Sequence, residues 1–272
     1  MQDLKTLNNQ KDFKSPETSK VPPSEGFREA YILHLADTTL ILAQRNSEWC
    51  AHGPILEQDI AITNISLDLL GQSRNFYQYA AQLINQSSSK QETEDSLAYL
   101  RTEREFKNLL ITELPNRDWA QTILKQFFFS VYQSLLYEQL EKNTDEQLAA
   151  IAEKSLKEIT YHIRWSSEWV IRLGDGTDES NARMKKAIEY LWEYTGEFFI
   201  AADYEKSMGF DVSILKEKWL QKIKTVFEEA TLSMPAERFM QTGGKQGVHT
   251  EHLGFILAEM QSLQRTYPGA EW

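Results

Sequence analysis

Between Gln72 and Leu173 the chain contains no glycine, and Pro115 is the sole proline in that stretch. Both residues punctuate secondary structure, so a run this long without them reads as long helices with few interruptions. The apolar spacing agrees. Ile62, Ile65, Leu69, Gln72, Phe76, Tyr79 and Leu83 alternate steps of three and four, the pattern of one buried helix face, with Gln72 its polar member. A second seam runs through Ile151, Ser155, Glu158, His162, Trp165 and Trp169. The spacing predicts a first helix over 27–50 and a second over 54–85, with Pro54 able to open its first turn. A short helical piece carries Glu103-Arg104-Glu105-Phe106, and Pro115-Asn116 marks the entry to a third long helix ending near Asn143. Thr144-Asp145-Glu146-Gln147 has the form of a capping box that starts a fourth, which stops at Gly174. Further helices are expected over 177–208, 213–233 and 249–265, and no strand-like alternation of useful length occurs. The fold class is all-α: four long antiparallel helices with additional C-terminal helices.

Residues 1–26 differ in kind. They are rich in Lys, Asn and Ser, contain Pro16, Pro22 and Pro23, and offer too few large apolar groups to offset the entropy of folding. They are expected to form a disordered tail before one helical domain over 27–272. Lys and Arg total 29 against 40 Asp and Glu, a net charge of −11 that repels phosphate backbones and anionic membrane surfaces. Nucleic-acid and membrane partners are therefore not expected, and the longest apolar runs fall far short of a membrane span. One cysteine, Cys50, cannot build a disulfide, a thiolate zinc site or an iron–sulfur cluster within the chain. A soluble, cytoplasmic protein is expected.

Bundles of this size often hold two irons, because one Glu from each of two helices and Glu-x-x-His from each of the other two aim six ligands at one point. The residues three positions before His34, His52, His162, His249 and His252 are Tyr31, Trp49, Ile159, Gln246 and His249, none of them an acid. What remains is Glu158 with His162, and Asp68 with Gln72, each pair four apart and so on one helix face. One reading is a one-metal or degraded metal site. The other is a vestigial polar network in the core, in which the imidazole of His162 and the carboxylate of Glu158 satisfy each other, as buried polar groups must.

Other constellations carry less. His249-Thr250-Glu251-His252 could begin a zinc site but has no third ligand at a useful spacing, and a capping or interface role is the simpler reading. Gly243-Gly244-Lys245-Gln246-Gly247 lacks the ending and the preceding strand of a phosphate-binding loop. It is expected to be an ordinary flexible loop, with contact between Lys245 and a substrate phosphate as the alternative. Cys50 has only His52 nearby as a base, which argues against a nucleophile. Trp165, Trp169, Trp192, Tyr194, Phe198 and Phe199 are expected in the core, although 31 aromatics on such a bundle also point to a partner surface.

Several blocks then carry a family likeness. Ser47-Glu48-Trp49-Cys50-Ala51-His52-Gly53-Pro54, Leu67-Asp68-Leu69-Leu70-Gly71-Gln72 with Arg74-Asn75-Phe76, and Glu113-Leu114-Pro115-Asn116 come in order. Lys157-Glu158 with Tyr161-His162, Arg172-Leu173-Gly174-Asp175-Gly176-Thr177, and Thr242-Gly243-Gly244-Lys245 through Gly254 follow. Together these resemble the C subunits of bacterial 1,2-phenylacetyl-CoA epoxidases, over nearly everything from Tyr31 to Trp272. The resemblance implies a ferritin-like fold and a place in a multicomponent monooxygenase of phenylacetate degradation. It implies that a homologous A subunit holds the di-iron site and binds the thioester, while the C subunit lacks the metal and keeps its catalytic partner in the competent form. A reductase with flavin and an iron–sulfur cluster would supply electrons from NADPH. On that footing no catalytic, cofactor-binding or metal-binding residue is expected in this chain. The alternative is a self-contained metal-dependent oxidase of the ferritin-like class.

Overall fold

The computed structural model describes residues 25–89 and 91–270. Helix α1 (Glu25–Ser47) turns back into α2 (Leu56–Ser87), and the two pack along their whole length. A short α3 (Glu94–Tyr99), a 3-10 turn at Glu103–Glu105 and the single turn α4 (Leu110–Glu113) then cross to α5 (Trp119–Leu140), which packs along α6 (Glu146–Gly174). These two antiparallel pairs form the four-helix bundle. The tail proposed for residues 1–26 lies outside the described residues except for its last two, which open α1.

Local chemistry sets the ends of these helices. Pro54 does not occupy the first turn of α2: the helix begins two residues later, because the Gly53 amide donates to Asp59 Oδ2 at 2.9 Å and holds the preceding turn closed. Helix α6 is capped by Asp145 rather than Thr144, its carboxylate accepting from the Leu148 amide at 3.1 Å. That carboxylate also accepts from the Tyr79 hydroxyl at 2.6 Å and pairs with Arg28, so the α6 cap is tied to α2 and α1 as well.

The C-terminal third departs from the expected helices. Instead of one helix over 177–208 there is α7 (Asp178–Leu191), a 3-10 run at Trp192–Phe199 and α8 (Asp203–Ser207). Thr195 donates to the Trp192 carbonyl at 2.8 Å, and Gly196 lies so close to Met240 that a Cβ there would overlap it. A regular helix is therefore given up where the later chain packs. The helix expected over 213–233 is α9 (Lys216–Glu229) behind a 3-10 turn, and the last expected helix divides into α10 (Glu251–Met260) and α11 (Ser262–Thr266). Helices α7 and α9 pack on α5 and α6, α8 on α1, and α10 on α4. A cluster of Phe128, Trp192, Phe198 and Trp219 fills the space between α5 and these elements, with ring centroids 5.4–5.9 Å apart. Among the described residues no helix is long and apolar enough to cross a membrane.

Candidate functional site

Both predicted seams face the bundle interior, and their polar members meet there. Their pairing differs from the expected one. His162 does not pair with Glu158 on its own helix; its Nε2 lies 2.9 Å from Asp68 Oδ2 on α2. Glu158 instead accepts from Gln72 Nε2 at 2.8 Å, and Gln133 of α5 donates to Gln72 Oε1 at 2.8 Å and to the Tyr137 hydroxyl at 3.2 Å. Side chains four apart on a helix share a face but diverge as they leave it, whereas two helices in contact bring such faces together. His162 is fully buried, and its Nδ1 finds no hydrogen-bond partner among the described residues. Asp68 and Glu158 lie only partly buried in the crease between α2 and α6.

Beside this network, neutral side chains of α1 and α5 pair with one another. Asn46 of α1 donates to Gln126 of α5 at 2.7 Å, and Gln126 donates to Ser130 at 2.8 Å. Thr38 and Thr39 of α1 line a narrow interior cavity with Gln133 and Tyr137. Two irons need carboxylates or imidazoles from all four bundle helices. Here α1 offers His34 and Asp37, but His34 is bound to the Lys107 carbonyl and Asp37 to Arg101, and α5 offers glutamines whose amides are already engaged in hydrogen bonds. Among the described residues no group of three or more His, Cys, Asp or Glu could hold a metal ion. The donor set does not fit a di-iron centre.

Lys245 and His249 are tied into the fold. Lys245 is buried and bonds both carboxylate oxygens of Glu205 at 2.9 and 3.0 Å and the Ile200 carbonyl at 3.0 Å, so it cannot reach a substrate phosphate. Nor is its loop a flexible one. The buried Glu197 carboxylate accepts from the amides of Gly243 at 2.9 Å and Leu110 at 2.7 Å, and a Cβ on Gly244 would overlap the Asn108 carbonyl. Burial raises the Glu197 carboxyl above the usual carboxylate range even though these amides oppose the shift. His249 is buried between the Phe106 carbonyl, 2.9 Å from Nε2, and Glu113, 3.3 Å from Nδ1, while Glu113 also accepts from the Thr250 amide at 2.8 Å. Burial depresses its pKa, but Glu113, the Phe106 carbonyl and Glu103 together outweigh it and the net shift is upward. His252 is half-buried, and its backbone amide meets Thr250 Oγ1 at 3.3 Å, within the first turn of α10. Cys50 is exposed in the turn after α1, where His52 Nδ1 lies 2.9 Å from the Cys50 carbonyl rather than near its thiol.

Buried titratable groups outside the two seams are engaged elsewhere in the fold. Asp37 of α1 pairs with Arg101 and accepts from the Tyr77 hydroxyl and the Lys107 amide. Lys125 of α5 donates to the Leu114 carbonyl at 2.7 Å and Asn116 Oδ1 at 3.0 Å, with burial lowering its pKa to about 7. His34 is held at a pKa of about 4 by burial, against the pull of nearby Glu205. The available signal was a charged residue inside an apolar helical run, as in Ile123-Leu124-Lys125-Gln126-Phe127.

Fold and interior together define a ferritin-like helical bundle whose centre is a hydrogen-bonded polar network. The chain belongs to the phenylacetic acid catabolic protein family, whose model matches residues 17–272. It is 47% identical over 248 residues to the C subunit of the 1,2-phenylacetyl-CoA epoxidase of Escherichia coli K12, a match covering 89% of this chain and 98% of that protein.

Proposed function

We propose that this chain is the non-catalytic structural subunit of a 1,2-phenylacetyl-CoA epoxidase acting in the cytoplasm in aerobic phenylacetate degradation. It pairs with a homologous A subunit that holds the two irons and the thioester, and a reductase with flavin and an iron–sulfur cluster delivers electrons from NADPH. The observation that carries this reading is the amide network at the bundle centre. Gln72 and Gln133, on two of the four helices, are bonded to each other, and Gln72 also to Glu158, so neutral amides rather than carboxylates fill this part of the core. The relationship to the C subunit of an epoxidase supplies the reaction to which such a bundle contributes.

What a bundle without a metal centre retains is its outer surface. A permanent interface stabilises whichever state of the partner presents the matching face, by mass action. The test is co-expression with the catalytic partner, followed by co-purification, metal analysis and assay with phenylacetyl-CoA and the reductase. Stable co-elution, with iron in the partner and activity only in the complex, is the expected result. Stoichiometric iron in this chain purified alone, with oxidase activity of its own, would instead establish the self-contained oxidase.

A further inference from the structure

Helix α2 directs Gln58, Asp68 and Gln72 at α6, and Ser73 and Tyr77 at α1, which fixes the side it leaves outward. That side carries Leu56, Ile60 and Leu67, at 71, 51 and 60% exposure, and then Gly71 one turn further on. A glycine in the middle of a 32-residue helix weakens it relative to alanine. Nothing inside the described chain calls for it: Gly71 does not have a positive φ, and a Cβ there would meet no atom within 4 Å. A helical glycine with open space above it, set one turn after an exposed leucine, fits a place where a helix from another molecule comes close. Beside this stripe α6 presents Tyr161, with the Arg164 guanidinium 5.8 Å from its ring. The C-terminal elements pack on α1, α4, α5 and α6 and leave Leu56, Ile60, Leu67 and Tyr161 exposed.

We infer that the outward face of α2 and α6, centred on Leu67 and Gly71, is the surface that docks the helix pair of a second bundle of this same fold, the catalytic partner. The inference rests on the function proposed above and adds the surface. Size is one argument. Two adjacent helices about 45 Å long and roughly 20 Å across present on the order of 900 Å², which meets the roughly 800 Å² per partner of a stable interface. Charge is the second. Lys154, Lys157 and Arg164 stand among Glu153 and Glu168, with Asp68 and Glu158 in the crease, so this face is near balance on a chain of net charge −11 and opposes the approach of a second bundle with little net charge. Shape is the third, since Leu67 is a knob and Gly71 a hole one turn away, the relief that packed helices interlock.

The experiment uses the full chain co-expressed with the catalytic partner, and compares Leu67→Arg, Gly71→Ala and, as a control on exposed α10, Phe255→Arg. Leu67→Arg is expected to weaken the complex at least tenfold without changing the melting temperature of the isolated chain. Gly71→Ala is expected to raise that melting temperature and yet weaken the complex several-fold, opposite signs that a purely structural glycine would not give. Hydrogen exchange over 60–74 should slow in the complex, and Phe255→Arg should leave binding unchanged. A complex that forms but is indifferent to both α2 substitutions overturns the surface and leaves the proposed function standing. Failure of the unmodified chain to bind the catalytic partner overturns both. A self-dimer of this chain abolished by Leu67→Arg gives the face to a second copy and overturns the inference as well.

Discussion

His162 on α6 reaches across the bundle to Asp68 on α2, Nε2 to Oδ2 at 2.9 Å, and leaves Glu158, one turn before it, to accept from Gln72 at 2.8 Å. The four residues thus form two bridges between helices instead of two links along them. Each bridge fixes the register of α6 against α2, because a slide of one turn would break both.

The bridges predict a particular pattern of coupling. In double-mutant cycles measured by chemical denaturation, His162→Leu and Asp68→Ala should couple by about 0.5–1.5 kcal/mol. His162→Leu and Glu158→Ala should be additive to within about 0.5 kcal/mol. Strong coupling within the 158/162 pair would show that the imidazole serves its own helix after all.

The faces of α2 and α6 were legible because helical periodicity assigns each residue a side: Ile62, Ile65, Leu69, Phe76 and Ile151 are all buried as their spacing requires. Partner choice was not legible. Spacing cannot say which neighbouring helix a polar side chain will meet, and Glu158 and Asp68 are equally consistent with His162 until α2 and α6 are placed side by side. The C-terminal third was misread for a related reason. Gly196 weakens a helix through Trp192–Phe199, but no local signal shows that Met240, remote in sequence, packs where a side chain at 196 would stand.

Two glycines should respond oppositely to alanine. Gly71 is helical with nothing within 4 Å of a Cβ, so Gly71→Ala should stabilise the isolated chain by about 0.5–1 kcal/mol. At Gly244 the added methyl would overlap the Asn108 carbonyl, and the loop cannot retreat while Glu197 holds the amides on either side of it. Gly244→Ala should cost about 1–3 kcal/mol. Thermal melts of the two variants decide the matter, and destabilisation by both would mean that α2 needs its glycine for an internal reason.

Lys245 and Glu205 test the reassignment of the glycine loop from ligand contact to latch. Both side chains are buried, and Lys245→Met leaves the Glu205 carboxylate without its cation, at a cost of about 3–5 kcal/mol. Adding Glu205→Gln removes the stranded charge while keeping an acceptor for the Ala202 amide, now 2.7 Å from Glu205 Oε2, and should recover much of the loss. Urea midpoints of the single and double variants measure this. A single variant of unchanged stability would mean that the ammonium had been solvated rather than latched.

Two buried histidines should give stability opposite dependences on pH. His34 is held near 4 by burial while the unfolded chain titrates near 6.5, so between those values the unfolded state takes up a proton that the native state refuses. Stability from this site is therefore full above pH 6.5 and falls as pH drops towards 4, by up to about 3 kcal/mol at 1.4 kcal/mol per unit. His34→Asn, which can still donate to the Lys107 carbonyl, should flatten that slope. His249 lies the other way. Its pKa is raised because Glu113, helped by Glu103 and the Phe106 carbonyl, outweighs the burial that would lower it. Its contribution is complete below pH 6.5 and is lost as pH rises through the elevated native value, when the imidazolium facing Glu113 gives up its proton. His249→Gln should remove the loss on that alkaline side only. Hydrogen exchange around α10 should accelerate there in the unmodified chain, because His249 and Thr250 join this segment to Glu113. Denaturation midpoints across pH 4 to 9 for the three proteins separate the two sites, and a His249→Gln profile parallel to that of the unmodified chain would show that the Glu113 contact holds no charge.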